Sequence, residues 1–563
     1  MLWDIPPGLL LILGTLIIPI LSGPWRKAYM VLLPLAGLWA LIDINPGNYY
    51  NFTFFTYEII PVRIDSLSLI FGYIFHIAAI LSVIYAWHND DIVEQVGGLA
   101  YAGSGIGALF AGDLITLFIY WEAMAVTSVL LIWARRTDDA YRSGMRYLVI
   151  QVASGVLLLS GALLLASKTG SIAFDKMELK GLASWLILIA FGIKCAFPFL
   201  HNWLQDSYPE ATVTGTVFLS AFTTKCAVYA LARGFPGTEL LIYIGAAMTA
   251  FPIFYAVIEN DLRRVLAYSL NNQLGFMVVG VGIGSALAIN GAAAHAFAHI
   301  LYKALLFMSM GAVLYRVGTV KGSELGGLYK SMPMTTIFCI IGAASISAFP
   351  LFSGFIAKSL TLSAVAHNGY TTVWLILLFA SAGVFHHSGI KIPYFAFFAH
   401  DSKIRCKEAP LNMLIAMGIT AFLCIGIGVY SPWLYSILPH PVSYEPYTTS
   451  HIVNQLQLLL FSALAFAVLM KYKIYPPELK SVNLDFDITY RKWIPKLYKL
   501  FLKKTGPGYQ ALLDDLVNGC FRIINHLFRH HGPEGSLART SSTGSMVLWV
   551  AILLGSFLII YYI

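Results

Sequence analysis

Charge is what this sequence has least of. Asp, Glu, Lys and Arg make up 11% of its 563 residues, against about 25% in an ordinary soluble domain. A solvated surface of normal size is thereby excluded. Cysteine is sparse too, with six residues: Cys195, Cys226, Cys339, Cys406, Cys424 and Cys520. No C-x-x-C pair occurs among them, so neither metal-ligand spacing nor a disulfide framework is supported. Most of them read as small buried hydrophobes. A Walker loop, a G-x-G-x-x-G at a strand–helix junction, catalytic-triad spacings and haem or iron–sulfur ligand clusters are also missing. No cofactor, metal or catalytic site of its own is expected, and energy for any transport must come from an ion gradient or from partner proteins.

What is present is apolar: 58% hydrophobic residues and a mean hydropathy of +0.74. With about 20 apolar residues per crossing, the fold class is an all-α polytopic membrane protein. The first apolar run lacks a basic flank and a small-residue cleavage site, so it reads as a retained helix. Hydropathy places sixteen crossings, from about 5–22 to about 544–563. Expected divisions are N-terminal helices over 1–96, a first repeat over 97–232 and a second over 238–389. C-terminal helices over 390–470, a basic segment over 471–543 and a final helix over 544–563 complete the chain. With the N-terminus outside, inner loops hold 27 Lys and Arg and outer loops hold five. That asymmetry puts both termini outside. Arg263, Arg264 and the cations from Lys391 to Lys407 are counted here as inner-loop charges. The segment YRKWIPKLYKLFLKK interleaves Trp493, Ile494, Leu497, Leu500 and Phe501 with six cations. It suits a helix lying on the cytoplasmic membrane surface, or a solvated loop with one short helix.

Against this background a few ionisable residues stand out. Glu122, Lys194, Lys225, Lys303 and Lys358 lie deep in predicted helices. A charge there costs a few kcal/mol, and chains keep such residues where they face a bundle interior or a wet path. Burial disfavours the charged form of an amine and a nearby carboxylate favours it. A lysine whose acidic partner approaches and withdraws can therefore take up and release a proton, and Glu122 with Lys194 is the candidate modulating pair. The alternative is a structural ion pair that packs helices, although four lysines for one carboxylate leave three without a partner. His295, His299 and Lys303 follow one another at i, i+4, i+8 and line one helix face over about 12 Å. Proton relay, a metal-binding histidine pair and two satisfied core histidines are the readings of that stripe. Ser345, Ser347 and Ser353 flank a second proline break and could hold waters. Lys194 precedes Pro198, whereas Lys358 follows Pro350. Broken helices in corresponding positions of two halves point to an ion path through inverted repeats. His386 and His387 either extend that path or sit at the inner surface.

These residues fall in motifs. FGIKCAFPFLHNWLQD carries Lys194, His201, Trp203 and Asp206, and TTKCAVYALARGFP carries Lys225. NDLRRVLAYS, HAFAHILYKALLFMSMG and FPLFSGFIAK follow in order. Together they resemble the antiporter-like subunits shared by Mrp-type Na+/H+ antiporters and respiratory complex I. Lys358 and TTKCAVYALARGFPG look most like the Mrp D-type subunit. The resemblance implies about fourteen core helices as two inverted five-helix units. Glu122, Lys194, Lys225 or His299, Lys303 and Lys358 would follow a central hydrophilic axis. It also implies a proton-translocating subunit of a hetero-oligomeric Na+/H+ antiporter in the cytoplasmic membrane, with other membrane subunits, protons and Na+ as partners and no nucleic acid. The alternatives are a proton-conducting module serving a redox or inorganic-carbon-uptake partner, and a scaffold whose ion pairs only pack helices. This sequence departs from the family pattern at Gln205 and Thr212, where prolines are usual, and at Gln273, where relatives often carry a histidine.

Overall fold

The structure, a computed structural model, describes residues 5–479, 483, 485–531 and 543–562. Helix dominates because a bilayer offers no water to pair with backbone groups, so each crossing must satisfy them internally. A helix stands at each of the sixteen expected crossings. Among the described residues ten helices are long and apolar enough to span a membrane, and three shorter ones are apolar. Helices α1 (Pro7–Gly14), α2 (Gly23–Ile42) and α3 (Ser66–Tyr85) come first. Between α2 and α3, β1 (Gly47–Tyr49) pairs with β4 (Val62–Ile64) around the inner hairpin of β2 (Phe52–Phe54) and β3 (Tyr57–Ile59).

Two five-helix stretches follow. The first holds α4 (Ile92–Phe110), α5 (Leu114–Trp133) and α6 (Asp138–Thr169). A broken crossing, α7 (Leu182–Lys194) with α8 (Asn202–Ser207), comes next, then α9 (Gly215–Ala221) with α10 (Thr223–Gly234). The second holds α11 (Leu240–Ile258), α12 (Leu262–Ile283) and α13 (Ala286–Val317). Its broken crossing is α14 (Pro333–Ile346) with α15 (Ser353–His367), followed by α16 (Thr371–Val384). In both stretches an aspartate caps the second helix: Asp113 accepts from the Ile115 and Thr116 amides, Asp261 from those of Arg263 and Arg264. Each capping residue also forms an isolated antiparallel bridge, Asp113 with Ala173 and Asp261 with Lys321.

The two breaks share a backbone. Each contains Ala-Phe-Pro, and the left-handed residues are Ala196 and Phe199 in one, Ala348 and Leu351 in the other. The Phe197 amide donates to the Gly192 carbonyl at 2.9 Å, and the Phe349 amide to Ala344 at 3.0 Å. Proline ends the hydrogen-bond ladder, and the two left-handed turns carry the chain sideways before helix resumes.

Three boundaries differ from expectation. The crossing that carries Lys194, placed by hydropathy at about 182–200, is helical only to Lys194, where the break begins. The next crossing is two helices meeting at Phe222. The crossing expected to end at 389 winds on through π-helical turns, Phe385–Ile390 and Tyr394–Phe398, around α17 (Lys391–Pro393). Beyond it lie α18 (Leu411–Val429), α19 (Ser431–Ser436) and α20 (Thr449–Lys471).

Residues Met1–Asn483 form one compact unit and Leu484–Ile563 another. In the second, the basic segment is a π-helical turn (Thr489–Trp493) and one long helix, α21 (Ile494–His531). That helix is far longer than the fifteen-residue stretch that marked it in the sequence. A closing helix spans Thr543–Tyr562.

Candidate functional site

Four of the singled-out cations are inside the first unit. Lys194, Lys225 and Lys303 are 0% exposed and Lys358 is 1% exposed. Their anchors are mostly backbone carbonyls freed by helix irregularities. Lys358 donates to the Ile346 carbonyl at 2.7 Å, at the frayed end of α14. Lys225 donates to the Ser220 carbonyl, beside the α9–α10 junction. Lys194 donates to the Trp121 carbonyl at 2.6 Å, with its Nζ 4.9 Å from the centre of that indole. A carbonyl stabilises an ammonium without binding it as an ion pair does.

Glu122 lies one residue beyond that carbonyl. Its carboxylate makes no ion pair within 4 Å among the described residues, and Oε1 is buried without a hydrogen-bond partner. It remains within electrostatic reach of Lys194. Gly155 on α6 makes the room: a Cβ added there would fall 1.4 Å from Glu122 Oε1. The expected pair is thus neighbouring but not bonded. Its setting is fixed by the Trp121 indole, which donates to Ser154 at 2.9 Å, and by Ser154 donating to the Ala190 carbonyl at 2.8 Å.

Lys194 lies within electrostatic reach of Cys226, and Lys225 within that of Cys195, so each lysine acts on the residue next to the other in sequence. From Lys225 the charges continue to α13. His299 lies within electrostatic reach of Lys225, Lys303, His295 and Lys358. The His295 and His299 rings are 6.2 Å apart. Both nitrogens of His299 and the Lys303 ammonium are buried without a partner among the described residues. Orphaned polar atoms are costly in an apolar interior. His295 Nε2 meets the Tyr302 hydroxyl at 2.9 Å and Gln273 Oε1 at 3.2 Å. Gln273 also donates to Asn272 at 2.6 Å, so the position where relatives often carry histidine stays inside a polar network. Ser345 and Ser353 bond to each other at 2.9 Å across the second break, and Ser347 closes on the Ala343 carbonyl.

Sequence reasoning missed a fifth lysine. Lys391, counted above as an inner-loop charge, is 0% exposed. It donates to the carbonyls of Ala256 at 3.2 Å, Val257 at 2.7 Å and Glu259 at 2.6 Å, and ion-pairs with Glu478 at 3.0 Å. His387 beside it is fully buried, while His386 packs on Phe466 and Tyr475. Arg263, another assigned loop charge, is 1% exposed. The shared Ala-Phe-Pro tripeptide was the available signal for the matched breaks. For Lys391 the sequence carries none, because its carboxylate lies far along the chain. Among the described residues no group of three His, Cys, Asp or Glu side chains is placed to hold a metal ion.

The family model described as NADH:quinone oxidoreductase/Mrp antiporter, transmembrane, matches residues 111–429, more than half of the chain. The chain belongs to that family. It is 26% identical over 437 residues to hydrogenase-4 component B of Escherichia coli (strain K12), covering 69% of this chain and 65% of that protein. It is 32% identical over 355 residues to the D-type Na(+)/H(+) antiporter subunit of Alkalihalophilus pseudofirmus, covering 59% of this chain and 72% of that one. A chain of the Mrp complex from Dietzia sp. DQ12-45-1b matches with a TM-score of 0.74 at 20% identity, over 99% of this chain and 62% of that chain. A chain of the membrane-bound sulfane sulfur reductase, an archaeal respiratory membrane complex, matches with a TM-score of 0.71 at 22% identity, over 99% of both. At such identities the structural likeness speaks for the fold. The chain spans under two thirds of hydrogenase-4 component B and of the Dietzia chain. Glu122, Lys194, Lys225, His295, His299, Lys303, Lys358 and Lys391 all fall within the stretch that matches the NADH:quinone oxidoreductase/Mrp antiporter family, and Glu478 falls outside it.

Proposed function

We propose that this chain is the proton-translocating subunit of a multi-subunit monovalent cation (Na+)/H+ antiporter, set in the cytoplasmic membrane with both termini outside. The observation that carries this reading is the row of fully buried lysines held mainly by neutral carbonyls, with Glu122 close to Lys194 but unbonded to it. An ionised Glu122 favours the ammonium form of Lys194; once protonated, it withdraws that support. Lys194 then passes its proton towards Lys225, and His299, Lys303, His295 and Lys358 act as later stations. The pair and its neighbours titrate as a group.

The Na(+)/H(+) antiporter relative from Alkalihalophilus pseudofirmus supports cation exchange as the use of that proton movement. Hydrogenase-4 component B favours a second reading, in which the same path serves a redox partner. Both readings put other membrane subunits beside this chain. Reconstituting the assembled complex in vesicles with a pH-sensitive dye tests the shared core. Lys194→Ala is expected to lower proton flux at least tenfold while assembly is kept. Wild-type flux in assembled Lys194→Ala would leave only a scaffold role. Co-purified partners separate the two uses.

A further inference from the structure

We propose that Lys391 and Glu478 form the inner port of this path, a buried ion pair that passes protons between His387 and the face that loop charges assign to the cytoplasm. The inference rests on the proton-path reading above and adds an end to it. The π-helical turns create the site. A wider turn adds a residue to the crossing, and such turns occur frequently at functional positions. Here they place His387, Ser388 and Lys391 in the interior, all 0% exposed.

The surroundings of Lys391 are not those of a simple helix cap. The carbonyls of Ala256, Val257 and Glu259 lie at the C-terminal end of α11, where orphan acceptors and the negative end of the dipole attract a cation. Three carbonyls already occupy the three N–H groups of an ammonium. Glu478 Oε1 at 3.0 Å is a fourth oxygen, more than a cap needs. Among the described residues Lys391 is the one fully buried lysine with a carboxylate within 4 Å. Burial also pushes the Glu478 carboxyl above its ordinary range, against the nearby Lys391 charge, which suits it to accept a proton.

Polar groups lead away on both sides. Inward, His387 Nδ1 meets Ser388 Oγ at 2.9 Å, and Ser388 donates to Ser269 at 2.7 Å. Ser269 lies one turn of α12 from Gln273, which contacts His295. His387 Nε2 is buried without a partner and lies within electrostatic reach of Lys303, Lys358 and Lys391. Outward, the Glu259 carboxylate accepts from Asn483 at 3.1 Å and stands 4.0 Å from Arg264. The charged and titratable groups facing Lys391 are therefore Glu478, Glu259, His386 and His387. In the step itself a proton leaves Lys391 Nζ for Glu478 Oε1, giving a neutral amine and a neutral acid. The amine takes its next proton from protonated His387, and Glu478 releases its own towards the inner face. Transport in the other direction reverses each transfer.

Arginine tests this directly, because it keeps the positive charge and the carbonyl bonds but does not deprotonate. In vesicles holding the assembled complex, Lys391→Arg is expected to assemble and to lower proton flux at least tenfold. Glu478→Gln, which leaves the lysine and its three carbonyls in place, is expected to lower it several-fold. Wild-type flux in either assembled variant overturns the port, and if Lys391→Arg does not assemble, Glu478→Gln decides. Lys194→Ala run alongside separates the two ideas. If it blocks flux while both port variants run normally, the port alone fails; if it too runs normally, the path as a whole fails.

Discussion

A glycine decides where the one acid at the start of the lysine row can sit. Gly155 faces Glu122 across α5 and α6, and a methyl group there would occupy the place of Oε1. Glu122 is flexible enough to move aside, so the helices need not part. In a helix interior alanine is more stable than glycine by roughly 0.5–1 kcal/mol. Gly155→Ala is therefore expected to leave the melting temperature of the complex unchanged or slightly raised, while proton flux drops several-fold because the carboxylate is displaced relative to Lys194. Opposite signs in the two measurements separate positioning from packing. Unaltered flux would mean that the location of Glu122 does not matter.

At the scale of the element, the two broken crossings put one backbone to different uses. Lys194 stands two residues before Ala196, and Ile346 occupies the same place before Ala348. Lys358 bonds to that Ile346 carbonyl, so the second break offers an acceptor where the first carries its amine. Ala196 and Ala348 have φ of 60° and 57°, a region that costs a residue with a Cβ about 1–2 kcal/mol. Glycine at either position is expected to stabilise the complex by up to about 1 kcal/mol, and by similar amounts at both, as thermal melting would report. A gain at one site and a loss at the other would mean that the breaks are not equivalent. The lysines were legible in the sequence because a charge in an apolar run has few innocent explanations. The turn geometry was not, since two prolines announce an interruption but leave the path of the chain open. Lys391 escaped notice for a related reason: hydropathy ends the crossing at the histidines, whereas the π-helical turns carry it further before the loop begins.

At the scale of the whole molecule, what loop counting treats as surface charge is in part the joint between the two five-helix stretches. Arg263 begins α12 in the second stretch, yet it donates to the carbonyls of Tyr208 at 3.3 Å, Pro209 at 3.0 Å, Ala211 at 3.1 Å and Thr212 at 3.1 Å, and to the Thr216 hydroxyl. The four carbonyls belong to the turn between α8 and α9 in the first stretch, and Thr216 to the start of α9, whose far end leads to Lys225. Arg135 grips the same turn through the Pro209 carbonyl at 2.7 Å and Glu210 at 3.2 Å. A sequence cannot announce such a joint, because the acceptors are backbone carbonyls and carry no residue signature. It predicts that charge alone is not enough at position 263. A lysine has three donors on one nitrogen and cannot span acceptors that a planar fork reaches from two sides. The Tyr208, Pro209 and Thr212 carbonyls keep other donors, in Thr216 and Arg135, so Arg263→Lys falls hardest on the buried Ala211 carbonyl, and a buried acceptor left unpaired costs roughly 1–3 kcal/mol. The substitution is accordingly expected to lower stability by about 2 kcal/mol, seen as a lower melting temperature and less assembled complex. Proton flux per assembled complex should fall with it, since the turn that sets the approach to Lys225 is released. If Arg263→Lys melts and conducts as the wild type does, the two stretches are joined by apolar packing and the guanidinium is incidental.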